Sequence, residues 1–189
     1  MPSEPESASV PTPLLEPELP QSEPEPWLRN TLTEIDPTRR QILHALELTG
    51  EDAARWITSL TDAEMNAHPH GLPSIAFHLR HIARSLDRLL TYAEGHPLSG
   101  AQFDRLHSEQ APDALAEIVL AELRAALGES ARRIRLIAPD TFNEPRTVGR
   151  AALPTTVVGL LIHCAEHTQR HIGQAITTAK LLLALRHAS

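Results

Sequence analysis

Three histidines fall at intervals of four near the C-terminal end of this chain, in the stretch His163-Cys164-Ala165-Glu166-His167-Thr168-Gln169-Arg170-His171-Ile172-Gly173-Gln174. An α-helix turns that spacing into a shared face, because residues four apart lie one above the other. A buried imidazole needs a polar partner. One such residue reads as a satisfied core histidine. Three in register inside an otherwise apolar helix point instead to a metal, since imidazole is the commonest ligand for zinc, nickel and similar ions. With His167 as origin, at about 100° per residue, His163 and His171 sit about 40° to either side and Gln174 about 20° away.

The helix carrying this motif is predicted to start at Pro154 and run to about Leu183. Three further long amphipathic segments precede it. The first, about 37–60, follows the N-cap Asp36 and repeats Ile42, Leu43, Leu46, Ala53, Trp56, Ile57 and Leu60 at spacings of three and four. The second, about 75–94, is capped by Ser74 and stopped by Gly95 and Pro97. The third opens at Pro112-Asp113 and ends near Ile137. Thr61-Asp62-Ala63-Glu64 is a capping box for a short extra turn, and Ser99 caps another short helix to about Glu109. Residues 138–153 read as an irregular connection, and no segment reads as a strand. Aromatics make up only 3% of the chain, so the core must come from Leu, Ile, Val and Ala. The expected fold is all-α, a four-helix bundle over 36–186 with short extra helices.

Residues 1–35 are predicted to be a disordered tail. Its first 26 residues are crowded with Pro and Glu and cannot bury enough surface to offset their ordering entropy. Residues 1–36 carry eight acids and one base, so this end holds the whole net charge of −7 and the remainder is neutral. A neutral body lacks the basic face that nucleic acid requires. The one cysteine, Cys164, excludes an intramolecular disulfide and suits a reducing compartment. No secretory leader is evident, and the apolar run Thr155–Ile162 is too short to span a membrane. The expectation is a cytoplasmic protein acting on a small molecule, without nucleic-acid or membrane partners, with a homodimer compatible with its size.

The second helix bears a polar face beside its apolar stripe, with Ser74, Phe77, His78, His81, Ser85, Arg88 and Tyr92. His78 and His81 are three apart and share a side. If this helix neighbours the last one, two histidines at i, i+4 and one from across the seam give three nitrogens and leave a coordination position open, as catalytic sites do.

Leu72-Pro73-Ser74-Ile75-x₂-His78-x₂-His81-Ile82-x₄-Asp87-Arg88 together with His167-x₃-His171-x-Gly173-Gln174 resembles the DinB/YfiT-like superfamily of metalloenzymes, over roughly residues 37–184. The resemblance implies a four-helix bundle holding a divalent metal on His81, His167 and His171, with zinc or nickel the expected ion. Two positions depart from the family pattern. Thr168 stands where members often have an acid, and Ile172 where they often have Arg. His78, His163 and Gln174 are candidates for orienting the ligands or replacing one of them. Arg88 and Arg170 are candidate contacts for an anionic substrate. Cys164 reads as a small buried apolar residue, and the remaining histidines, His44 among them, as surface residues. Characterised relatives include S-transferases and isomerases that use a low-molecular-weight thiol, so the resemblance implies a thiol-activating enzyme. A metal-dependent hydrolase and a non-catalytic metal-binding or stress-response module are the alternatives, and no catalytic residue follows from the sequence.

Overall fold

The computed structural model describes residues 23–188. Most of the expected tail, residues 1–22, lies outside the described residues. The chain is mostly helical, in keeping with the expected all-α class. Helix α1 (Pro37–Trp56) starts where Asp36 accepts the amides of Thr38 and Arg39, both at 3.1 Å, and Pro37 has no amide to leave bare. Such a cap contributes about 1 kcal/mol. Helix α2 (Asp62–Asn66) opens on the reciprocal Thr61–Glu64 box. Helix α3 (Ile75–Ala93) is capped by the Ser74 hydroxyl, which accepts the Phe77 amide. A second capping box, Ser99 with Gln102, starts α4 (Gly100–His107).

Helix α5 (Ala116–Leu136) begins four residues later than Pro112 suggests. Asp113 takes a left-handed conformation, with φ of 57°, and cannot continue a helix. The cap arrives from elsewhere in the chain. Asp62 accepts the Ala116 amide at 2.7 Å, while Asn66 accepts the Ala114 amide and donates to the Ala114 carbonyl.

The connection after α5 is not irregular throughout. Strands β1 (Pro145–Val148) and β2 (Leu153–Thr156) pair antiparallel, with Pro145 opposite Thr156 and Val148 opposite Leu153. The ribbon corrects the expectation of no strand. It is four residues long, lacks a buried face and contains two prolines, so it carries no period-two signal. A two-stranded ribbon is all edge, where Pro is tolerated. Pro154 therefore lies in β2, and α6 (Val157–Ala188) starts at Val157. Thr156 accepts the Gly159 amide at 3.1 Å, and a Cβ on Gly159 would come within 2.7 Å of the Thr155 hydroxyl.

Helix α3 packs against α5 and α6, and α1 packs against the same two. One apolar cluster fills the middle, with Leu79, Ile82, Leu86, Leu123, Ile134, Leu161 and Ile172 buried. Each such side chain contributes about 1.5–3 kcal/mol. Helix α6 is held at both ends. The amides of Val157 and Val158 donate to Glu144 and Phe142, and Arg146 from β1 donates to the Ala93 carbonyl at the end of α3. At the far end Arg186 donates to Glu64. That hydrogen bond, with help from the Thr61 amide, pushes the Glu64 carboxyl down to about 2.

The described part of the expected tail, residues 23–35, makes defined contacts. Arg29 donates to the Pro24 carbonyl and both Glu51 oxygens, and Thr31 hydrogen-bonds His44 Nε2 at 3.1 Å. His44 is consequently buried rather than on the surface. Among the described residues no helix is long and apolar enough to cross a membrane.

Candidate metal centre

The α3–α6 seam runs antiparallel, and its residue levels pair His81 with His167 and His78 with His171. Helix periodicity sets both sides. On α6 the stripe Leu161, Cys164, Thr168, Ile172, Ala175 and Ala179 is buried, which turns the imidazole row toward the rim of the seam. On α3 the stripe Ile75, Leu79, Ile82 and Leu86 is buried, which places His78 and His81 at the same rim.

His81, His167 and His171 come together there. Each offers one nitrogen, and the three lie within 4.8 Å of one another. His167 Nε2 and His81 Nε2 are 3.0 Å apart. Two nitrogens on one tetrahedral zinc, each about 2.0–2.1 Å from it, would be roughly 3.3 Å apart. The His81–His167 pair needs a shift of only a few tenths of an ångström to share a divalent ion, and His171 lies within reach of the same point.

The protonation chemistry fits as well. Burial, followed by the neighbouring His171, His81, His163 and Arg170, pushes His167 down to about 4. Burial with His81 and Arg170 does the same to His171. Neutral imidazoles with free lone pairs are what a metal needs.

The supporting contacts fix the ring orientations. His81 Nδ1 donates to Glu109 Oε2 at 2.7 Å, which leaves Nε2 for the cluster. Glu109 Oε1 accepts from Arg88 at 2.7 Å, and Arg88 also donates to the Ser85 hydroxyl. Burial alone would push the Glu109 carboxyl up, but the hydrogen bonds from His81 and Arg88 bring it below the usual carboxylate range. Phe77 stacks on the His81 ring with centroids 5.4 Å apart. His171 Nδ1 faces His78 Nδ1 at 3.0 Å, so one of them must donate. If His171 binds a metal through Nε2, its Nδ1 carries the hydrogen and His78 accepts it. His78 then plays for His171 the part Glu109 plays for His81.

The other candidates lie around this cluster. His163 is half exposed and its Nδ1 faces Glu166 Oε1 at 2.6 Å, with its ring 5.3 Å from that of His167. Gln174 lies on the wall of a neighbouring cavity with His78 and Arg170, and its side chain makes no hydrogen bond to a described residue. Arg88 is committed to Glu109 and Ser85, whereas Arg170 is largely exposed with Glu166 3.8 Å away. Cys164 is sealed in the core, and burial pushes its thiol up to about 12, which removes it as a ligand or nucleophile.

Glu109 is the residue that sequence reasoning missed. It stands two residues beyond α4, and nothing in its spacing links it to a histidine 28 positions earlier. The one available signal was a polar requirement. A metal-binding imidazole needs an acceptor for its second nitrogen, and no carboxylate stands three or four residues from His81 on its own helix.

A family model described as the DinB superfamily matches residues 27–175. The match spans most of the chain, and the chain belongs to the DinB superfamily. No curated protein matches it.

Proposed function

We propose that this chain is a metal-dependent enzyme built on a DinB-type four-helix bundle, and that its reaction is transfer to, or isomerisation through, a low-molecular-weight thiol. The observation that carries the reading is the number of imidazoles in the cluster. Three converge, while His78 spends its Nδ1 on His171 and His163 pairs with Glu166. A structural site would draw in at least a fourth protein ligand. A divalent ion held by His81, His167 and His171 would keep open positions, and would there supply the means to bind a thiol and lower its pKa.

The chain's own groups supply the remainder. Glu109 and Arg88 hold His81 in the tautomer that presents Nε2. His78 does this for His171. Phe77 covers one face of His81 and limits water there. The thiol, rather than a hydrolytic water, is supported by the family resemblance and by the pairing of the nearby carboxylates, Glu109 with His81 and Arg88 and Glu166 with His163. Glu109 is fully engaged by His81 and Arg88 and is poorly placed to act as a base on water.

The test is metal analysis of protein purified without a metal-affinity column, followed by a thiol-transfer screen with several thiols and a generic electrophile. About one equivalent of a divalent metal is expected, together with turnover that depends on both metal and thiol. His81→Ala and His167→Ala should each lose the metal. Unchanged metal affinity in both variants would sink the site, and metal-dependent hydrolysis without a thiol would sink the transfer reading.

A further inference from the structure

The α3–α6 seam does not close below the cluster. A cavity of about 470 Å³ continues along it, lined by Leu72 and Pro73 on one side and Arg170, Gln174 and Thr177 on the other, with His78 at its boundary with the cluster. Arg170 directly precedes His171 on α6 and lines this cavity. Its carboxylate neighbour among the described residues, Glu166, is 3.8 Å away and hydrogen-bonded to His163 instead. An exposed contact of that length holds a guanidinium weakly.

Two sets of exposed donors therefore line this groove with little to hold them among the described residues. The Arg170 guanidinium offers a planar fork suited to a carboxylate, and the Gln174 amide makes no hydrogen bond to a described residue. Thr177 already donates to the Gly173 carbonyl. The charge balance has the same sign. Glu109 is already paired with Arg88 and His81, and a divalent ion would add two positive charges beside Arg170.

The geometry points to a substrate thiol that carries a carboxylate two or three bonds from its sulfur, the carboxylate seated on Arg170 and Gln174. This rests on the thiol reading above. From His171 to Gln174 the helix rises roughly 4.5 Å, about the span between sulfur and carboxylate in such a molecule. On binding, the sulfur loses its proton to buffer and the carboxylate stays ionised throughout.

The experiment uses the full chain saturated with cobalt(II), titrated separately with 3-mercaptopropionate, 2-mercaptoethanol and cysteamine. The readout is the sulfur-to-cobalt charge-transfer absorption. The carboxylate thiol should bind about tenfold tighter than the neutral one, the value of one charge-assisted hydrogen-bond pair, and cysteamine should bind weakest. Arg170→Gln should remove most of that preference and Gln174→Ala part of it. Both positions are exposed, so both variants should fold. Equal apparent Kd for the three thiols, or a preference that survives Arg170→Gln, overturns the inference and leaves the thiol reading standing. No absorption with any thiol on cobalt-saturated protein overturns both.

Discussion

Two imidazole–carboxylate pairs flank the metal centre at almost the same distance, His81–Glu109 at 2.7 Å and His163–Glu166 at 2.6 Å. The first joins residues 28 apart across two elements. The second is an i, i+3 pair on one helix face. Glu109 has a side chain only 5% exposed, against 52% for Glu166. Glu109 also has a second cation, Arg88, on its other oxygen. The comparison shows that length does not set what such a contact contributes. A carboxylate out of water, with both oxygens satisfied, fixes a ring. An exposed one competes with solvent and salt.

The largest break in this comparison comes from Glu109→Ala. It strands the Arg88 guanidinium in a site with little water and frees the His81 ring. The expected loss is about 3 kcal/mol of stability, measured by urea unfolding of metal-free protein. Metal affinity should fall by roughly 10–100-fold in a chelator-competition titration. A stability loss below about 1 kcal/mol, with unchanged affinity, would place the two pairs in one class.

An intermediate effect follows from pH. The native Glu109 carboxyl lies below its usual range. A lowered native pKa means the contribution is fully present above the unfolded value, about 4.3, and is lost as pH falls through the native value. The stability difference between wild type and Glu109→Gln, both metal-free, should be constant near neutrality and shrink below about pH 4. A difference that grows as pH falls would reverse the assigned sign.

The smallest effect belongs to Glu166→Gln. Metal affinity should change by less than about twofold, and the melting temperature should stay within error of wild type. A tenfold loss of affinity would instead make His163 part of the centre and sharpen the contrast differently.

Legibility in the sequence follows the same division between local and distant. Helix phase is arithmetic, so the imidazole row on α6 and the His78–His81 face on α3 can be read from spacing alone. Caps such as Asp36, Ser74, Thr61 and Ser99 are equally local, and each makes the bond its residue type suggests. What could not be read came from elsewhere in the chain. Asp62 caps α5 from 54 residues away, and Glu109 reaches His81 only because α4 packs against α3. The β1–β2 ribbon gave no signal because it buries no face. His44 looked like a surface residue until Thr31 was laid over it.

That ribbon also governs where the chain can change length. Helix α6 takes its rotational phase from the two amides handed to Glu144 and Phe142 and from the crowded backbone at Gly159. One residue added between Thr156 and Gly159 would turn everything downstream by about 100°, carrying His167 and His171 off the seam while Arg186 still held the far end. The turn at 149–152 carries no such phase. Both Gly149 and Ala152 there have positive φ, and the residues between them are exposed. Insertions at that turn leave the helix timing intact. A tag or a whole domain could be spliced in there, a few residues from a junction that tolerates no slippage.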